Sequence, residues 1–231
     1  MRTFVPRALL SIVACTSTVA MSAQAPAKLQ QRVVASTSIL HELASVPDKG
    51  IPNNIAKKAH CVIVIPSFKK GAFLGGVEYG QGLATCYVAH RGWSAPAFVR
   101  MSGISFGLQA GGEGTDLVLV GVTSVSGQKL LKEKVKLGGD IGVAAGPLGR
   151  DSKADMTVLA NAGFLTYSRN KGLFAGVDLS GDEVNKNDKD TRAYYGKHLS
   201  YKAILNGAVA TPPGARGFIS EVRRVFGGSI R

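Results

Sequence analysis

Acidic residues are scarce in this chain. Its 231 residues hold 15 aspartates and glutamates against 28 lysines and arginines, for a formal net charge of +13. The partner such a balance suits is anionic: a membrane surface, a nucleic acid or an acidic polymer. Aromatic residues are also few, with one Trp, six Tyr and nine Phe. They do not interleave with the basic clusters as a base-stacking platform requires, which argues against nucleic acid. Only three cysteines occur, none in a C-x-x-C pair, and His41, His60, His90 and His198 show no metal-box spacing. A zinc site is therefore unsupported. There is no Walker loop. The glycines of Gly75–Gly82 start a dinucleotide fingerprint only at Gly80 and Gly82, and Thr85 stands where its third glycine belongs. No cofactor is expected, and no apolar run is long enough to span a bilayer as a helix.

Glycine is abundant, at 29 residues. Scattered through apolar segments, it suggests bulges, bends and close backbone approaches in a β architecture. Hydrophobic content of 45% and charged content of 19% indicate a globular chain with a sizeable core. Residues 1–27 read as an export signal. Arg2 and Arg7 give a basic start, Ala8–Ala20 is mostly apolar, and small residues at Ala23, Ala25 and Ala27 offer cleavage positions. Cutting after Ala27 avoids leaving Pro26 just beyond the cut. The competing reading is a lipoprotein box ending at Cys15. Either way the domain occupies 28–231, and the expected location is exported: periplasmic, envelope-associated or secreted. There Cys61 and Cys86, both in strand-like segments, form either a disulfide or two buried thiols.

The apolar spacing of Leu29, Val33, Leu40 and Leu43 predicts a helix over 28–46, ended by Pro47-Asp48-Lys49-Gly50. A short helix is predicted at Asn53–Ala59, and strands at His60–Ile65, Ala97–Gly111, Leu117–Val122, Asp140–Gly146, Met156–Tyr167 and Gly172–Leu179. Val125–Lys136 reads as a helix, GDEVNKNDKDTR as a loop or helix start, and Lys197–Gly207 and Pro213–Phe226 as helices. The expected fold is a single α+β domain: a glycine-rich, strongly curved or barrel-like antiparallel sheet with flanking helices.

The sharpest enzymatic hint is Gly103-Ile104-Ser105-Phe106-Gly107, which fits the nucleophile-elbow pattern, with Asp116 or Asp140 and then His198 in the right order. The following GLQAGGEG is a poor helix opener, so a serine hydrolase using Ser105 is a remote alternative. Glu113/Asp116 and Asp182/Glu183 set no glycosidase separation. Asp182, Glu183, Asp188 and Asp190 lack calcium-loop spacing.

Basic residues carry what chemistry remains. Each Lys or Arg well placed at an anionic bilayer contributes on the order of 1 kcal/mol. The headgroup-binding candidates are Lys69, Lys70, Lys129, Lys132, Lys134, Lys136 and Lys171. The 28–46 helix either inserts its apolar stripe into lipid or packs it on the sheet.

Seven phrases occur in order: Lys69-x-Gly71 with Gly75-Gly76, Tyr79-Gly80-x-Gly82, Trp93-Ser94-Ala95-Pro96, Gly138-x-Asp140, Gly146-Pro147-x-Gly149, Tyr167-Ser168-x-x-Lys171-Gly172-Leu173-Phe174-Ala175-Gly176 and Tyr194-Tyr195-Gly196. Together they resemble the SYLF domain family over roughly Arg32–Arg224. The resemblance implies a non-enzymatic lipid-binding module, with phosphoinositides as ligands and, in yeast members, actin as a partner. The basic N-terminal segment expected of eukaryotic members is thin here, with only Lys28 and Arg32. Phosphatidylglycerol, cardiolipin or lipid A then becomes the expected anionic lipid. The alternative is an envelope interaction module without lipid specificity.

Overall fold

Strand β1 (Cys61–Lys70) is apolar on both faces, and the architecture follows from covering both. The computed structural model describes residues 26–45, 50–70, 76–105, 114–149, 162–170 and 172–227. Of residues 1–27, expected to be an export signal, all but the last two fall outside these residues. Around β1 run β2 (Gly76–Val88), β3 (Gly92–Trp93), β4 (Ala97–Ser105), β5 (Thr115–Gly121), β6 (Lys134–Lys136), β7 (Val143–Ala145), β8 (Phe164–Asn170), β9 (Leu173–Gly176) and β10 (Glu183–Lys186). Their order is β6-β10-β4-β2-β1-β5-β8-β7, with β3 on β2 and β9 on β8. The sheet is strongly curled into a half-barrel rather than closed. All its pairs are antiparallel except β7–β8.

Two cores lie against the sheet. On one face Val62, Val64, Leu83, Phe98, Val118, Val120 and Leu165 meet helix α1 (Ala27–Ser45), α4 (Asp188–Tyr195) and α6 (Arg216–Phe226). On the other, Ile63, Ile65, Val99, Met101 and Leu119 meet α3 (Ser124–Leu130) and α5 (Tyr201–Leu205). The short α2 (Asn53–Ala56) leads into β1. The α1 stripe of Leu29, Val33, Leu40 and Leu43 is no more than 5% exposed, so it is committed to the sheet and α6, not free for lipid. No helix among the described residues is long and apolar enough to cross a membrane.

Several elements differ from expectation. The Val125–Lys136 helix stops at Leu130; the chain turns, and Lys134–Lys136 becomes strand. The polar stretch after Gly181 holds strand β10, paired on both sides by β4 and β6. The helix expected at Lys197–Gly207 is only Tyr201–Leu205, and Pro213–Ala215 is a 3-10 turn before α6. The strand expected at 140–146 shrinks to Val143–Ala145, and residues 156–161 of the strand expected at 156–167 lie outside the described residues. Cys61 and Cys86 oppose each other across β1 and β2 and are joined by a disulfide.

The glycine-bearing phrases serve close packing. A Cβ on Gly146 would lie 2.1 Å from the Tyr167 ring, and one on Gly176 would lie 2.5 Å from the Gly146 carbonyl oxygen. A Cβ on Gly82 would sit 1.9 Å from the Val64 carbonyl oxygen, between the two central strands. Backbone cannot yield as a flexible side chain does. Gly82→Ala is therefore expected to cost about 3 kcal/mol of folding stability, read as a lowered urea midpoint. The exposed-turn control Gly172→Asn, at φ +78° with nothing near its Cβ, should cost far less.

Candidate functional site: a basic sheet face beside helix α1

The α1 side of the sheet changes character along the strands. Leu83 pairs with Phe98 beneath the helices. Two residues further on the apolar side chains give way to polar ones. One cross-strand row runs Lys69, Tyr79, Ser102, Glu183, Lys136. The next runs Gln81, Arg100, Asn185, Lys134. Strand alternation directs all nine side chains to the same face, and four strand spacings put Lys69 about 19 Å from Lys136. Lys69, Tyr79, Arg100, Lys134 and Lys136 are exposed.

Helix α1 supplies the border of this face. Arg32 is only 9% exposed; its guanidinium pairs with Asp190 at 2.6 Å, donates to the Gln81 side chain and lies 5.7 Å from the Phe98 ring centroid. Asn187 Nδ2 donates to the same Asp190 carboxylate at 2.8 Å, and Gln81 donates to the Tyr79 hydroxyl. This network ties α1 to β2, β4 and α4 where the apolar core ends. Beside it a cavity of about 430 Å³ opens, with Lys28, Arg32, Lys69, Ser67, Tyr79 and Gln81 among its lining.

Of the expected site residues, the structure brings Lys69, Lys134 and Lys136 to one face. Lys129 is on α3, whose Leu130 packs into the opposite core, and Lys132 follows in the turn; neither joins the rows. The Lys70 side chain and all of Lys171 lie outside the described residues. Sequence reading missed Arg100, although the alternation Phe98, Arg100, Ser102 carries the signal, and it missed the part played by Tyr79. Two of the cations are neutralised locally: Arg32 by Asp190, and Lys134 by Glu183 at 2.8 Å. Among the described residues, Lys28, Lys69, Arg100 and Lys136 make no ion pair.

Among the described residues, the other chemistry considered does not assemble. Ser105 ends β4, and its side chain lies outside the described ones. Tyr195, three residues before His198, donates its hydroxyl to Pro96 at the opposite end of that strand, 2.7 Å away. Asp140 accepts the backbone N–H of Lys136, and Asp116 binds Arg169. Glu183, Asp188 and Asp190 each pair with a cation, and no cluster of metal-ligating side chains occurs among the described residues. Burial alone would lower the Arg169 pKa, but Glu42 and Asp116 together raise it.

Because Arg32 is nearly buried and Asp190 is 18% exposed, removing the guanidinium leaves a poorly hydrated carboxylate. Arg32→Met is expected to cost about 2 kcal/mol in urea unfolding. Lys28→Met, from an exposed position on the same helix, should leave the midpoint unchanged.

Residues 102–225 match the family model Ysc84, described as Las17-binding protein actin regulator. LAS seventeen-binding protein 3 of Saccharomyces cerevisiae is 34% identical over 170 residues, 72% of this chain and 37% of that protein. Protein YSC84 of the same yeast is 33% identical over 172 residues, 73% of this chain and 36% of that protein. SH3 domain-containing YSC84-like protein 1 of Xenopus laevis is 30% identical over 202 residues, 83% of this chain and 59% of that protein. The chain thus spans between about a third and three-fifths of the length of these relatives. On the family match and the extent of these alignments, the chain belongs to the Ysc84, or SYLF, family.

Proposed function

We propose that this protein is a non-catalytic, peripheral binder of anionic phospholipid surfaces, acting through the basic sheet face. The observation that carries the reading is the placement of Lys69, Arg100 and Lys136 on one exposed face, with no ion pair among the described residues. Three such cations at a bilayer supply on the order of 3 kcal/mol, a loose attachment that salt weakens. The cavity beside Lys28 and Lys69 offers a concave seat for one headgroup. Residues 1–27 are read as an export segment cut after Ala27, so phosphatidylglycerol and cardiolipin are the lipids to test; N-terminal sequencing of the secreted form checks the cut.

A protein partner is the second reading, favoured by the family description, which names an actin regulator. The same cationic face would then meet an acidic protein surface.

Co-sedimentation with vesicles of graded phosphatidylglycerol content separates the two. Wild-type binding should rise with anionic lipid and fall with salt. The triple reversal Lys69→Glu, Arg100→Glu, Lys136→Glu should weaken it at least about a hundredfold at low salt. Lys129→Glu with Lys132→Glu, off the rows, should cost less than about tenfold. Binding to actin filaments with indifference to lipid charge would move the assignment to the protein partner.

A further inference from the structure

Strand β1 carries one residue more than the stretches that face it. From Val64 to Lys69 it advances five residues, while β2 advances four, from Leu83 to Tyr79. From Ile65 to Phe68 it advances three, while β5 advances two, from Leu117 to Thr115. Both counts place the extra residue at Pro66-Ser67, a β-bulge. Pro66 has no N–H to give the ladder, and Ser67 sits at φ +51°, a left-handed conformation that a residue with a side chain rarely adopts.

Neighbouring elements hold this bulge. The Ser67 N–H donates to Asp116 Oδ1 at 2.9 Å. Asp116 also accepts from Arg169 Nε at 2.8 Å, and Arg169 pairs with Glu42 of α1. Glycines make room on both sides. A Cβ on Gly114 would lie 3.0 Å from Ser67 Cα, and one on Gly80 would lie 2.7 Å from the Phe68 ring.

The extra residue reverses the face that each later side chain takes. Before the bulge, Val62 and Val64 enter the α1-side core, and Ile63 and Ile65 enter the other. By strict alternation Phe68 would share the face of Val64, and Lys69 that of Ile65. Instead Phe68 is 1% exposed in the core of Ile63 and Ile65. Lys69 stands opposite Tyr79 on the α1-side face and lines the cavity with Lys28.

We propose that the Pro66-Ser67 bulge is a positioning element of the anionic-lipid site: held by Asp116, it turns Lys69 onto the α1-side face and to the cavity beside Lys28. Ser67 is a positioning residue that acts through Lys69. The proposal rests on the lipid reading above and deepens it. The chain from Ser67 through Asp116 and Arg169 to Glu42 ends on α1, the helix that supplies Lys28. One network therefore sets the two lysines of the cavity relative to each other.

The test is a double-mutant cycle on the full chain, bound to phosphatidylcholine vesicles with graded phosphatidylglycerol. Lys69→Gln alone should weaken binding about fivefold. Ser67→Ile removes no charge, but its branched side chain disfavours positive φ, and it should weaken binding by about the same factor. Adding Lys69→Gln to Ser67→Ile should then change little, because the lysine has already been turned away. Ser67→Gly keeps the left-handed backbone accessible and should bind like wild type. Gly114→Ala presses on the bulge from the neighbouring segment and carries the same cycle where urea unfolding shows Ser67→Ile to be misfolded. Wild-type-like binding by the folded bulge variants overturns the positioning role and leaves the headgroup reading intact. So does an undiminished effect of Lys69→Gln in their background, or no effect of Lys69→Gln in the wild type. Absence of wild-type binding to any vesicle overturns both.

Discussion

The burial of the central strands on both faces constrains everything else in this molecule. β1 carries Ile63 and Ile65 into one core and Val62 and Val64 into the other, all fully buried. A sheet covered by helices on both sides has little free surface left for binding. Among the described residues, what remains uncovered is the end of the strands, where the α1-side rows turn from Leu83 and Phe98 to Gln81 and Arg100. Arg32 marks that boundary. Its guanidinium lies over Phe98 while its charge is met by Asp190, so the core ends in a satisfied ion pair. The same helix then leaves Lys28 exposed one turn earlier.

The family phrases read differently once their contacts are known. Gly146-Pro147-x-Gly149 and the Tyr167–Gly176 phrase meet at one point: Gly146 accommodates the Tyr167 ring, and Gly176 accommodates the Gly146 backbone. Trp93-Ser94-Ala95-Pro96 is a hydrogen-bonded junction. Ser94 Oγ accepts the Cys86 N–H, Trp93 Nε1 donates to Gly227, and Pro96 accepts from Tyr195. Asp140 closes a turn on the Lys136 N–H, at the end of the strand that bears one lysine of each row. These phrases encode the close packing and curvature of the half-barrel. The cations of the binding face are mostly outside them: Arg100 and Lys134 belong to no phrase.

That division explains what was legible in the chain. α1 could be read because one apolar stripe at helical spacing is unambiguous, and β5 because a continuous apolar run suits a strand buried on both faces. β10 could not. Glu183-Val184-Asn185-Lys186 buries one apolar side chain, and its strand state comes from two neighbours remote in sequence. The lysines of 129–136 read as one helical cluster for the same reason. Nothing local announces that the chain turns after Leu130 to pair Val135 with Val184. The grouping of Lys69 with Lys136 is a property of strand order, which no single segment contains.

Strand order also sets the kind of binding the face supports. Cations spread over about 19 Å of a curved sheet cannot converge on one small anion. They match a surface of many separated negative charges. Local acids refine this: Asp190 and Glu183 pair with Arg32 and Lys134, while Lys28, Lys69, Arg100 and Lys136 make no ion pair among the described residues. Among the described residues, cations of this face converge at the cavity between α1 and the β1–β2 strand end, where Lys28 and Lys69 share a lining with Tyr79 and Gln81. Under the proposed lipid reading, a preference for one headgroup over another would arise there, because distance-tolerant charge attraction discriminates by charge alone. The proposal thus assigns affinity and selectivity to different parts of one face, the first to the rows and the second to the cavity at their corner.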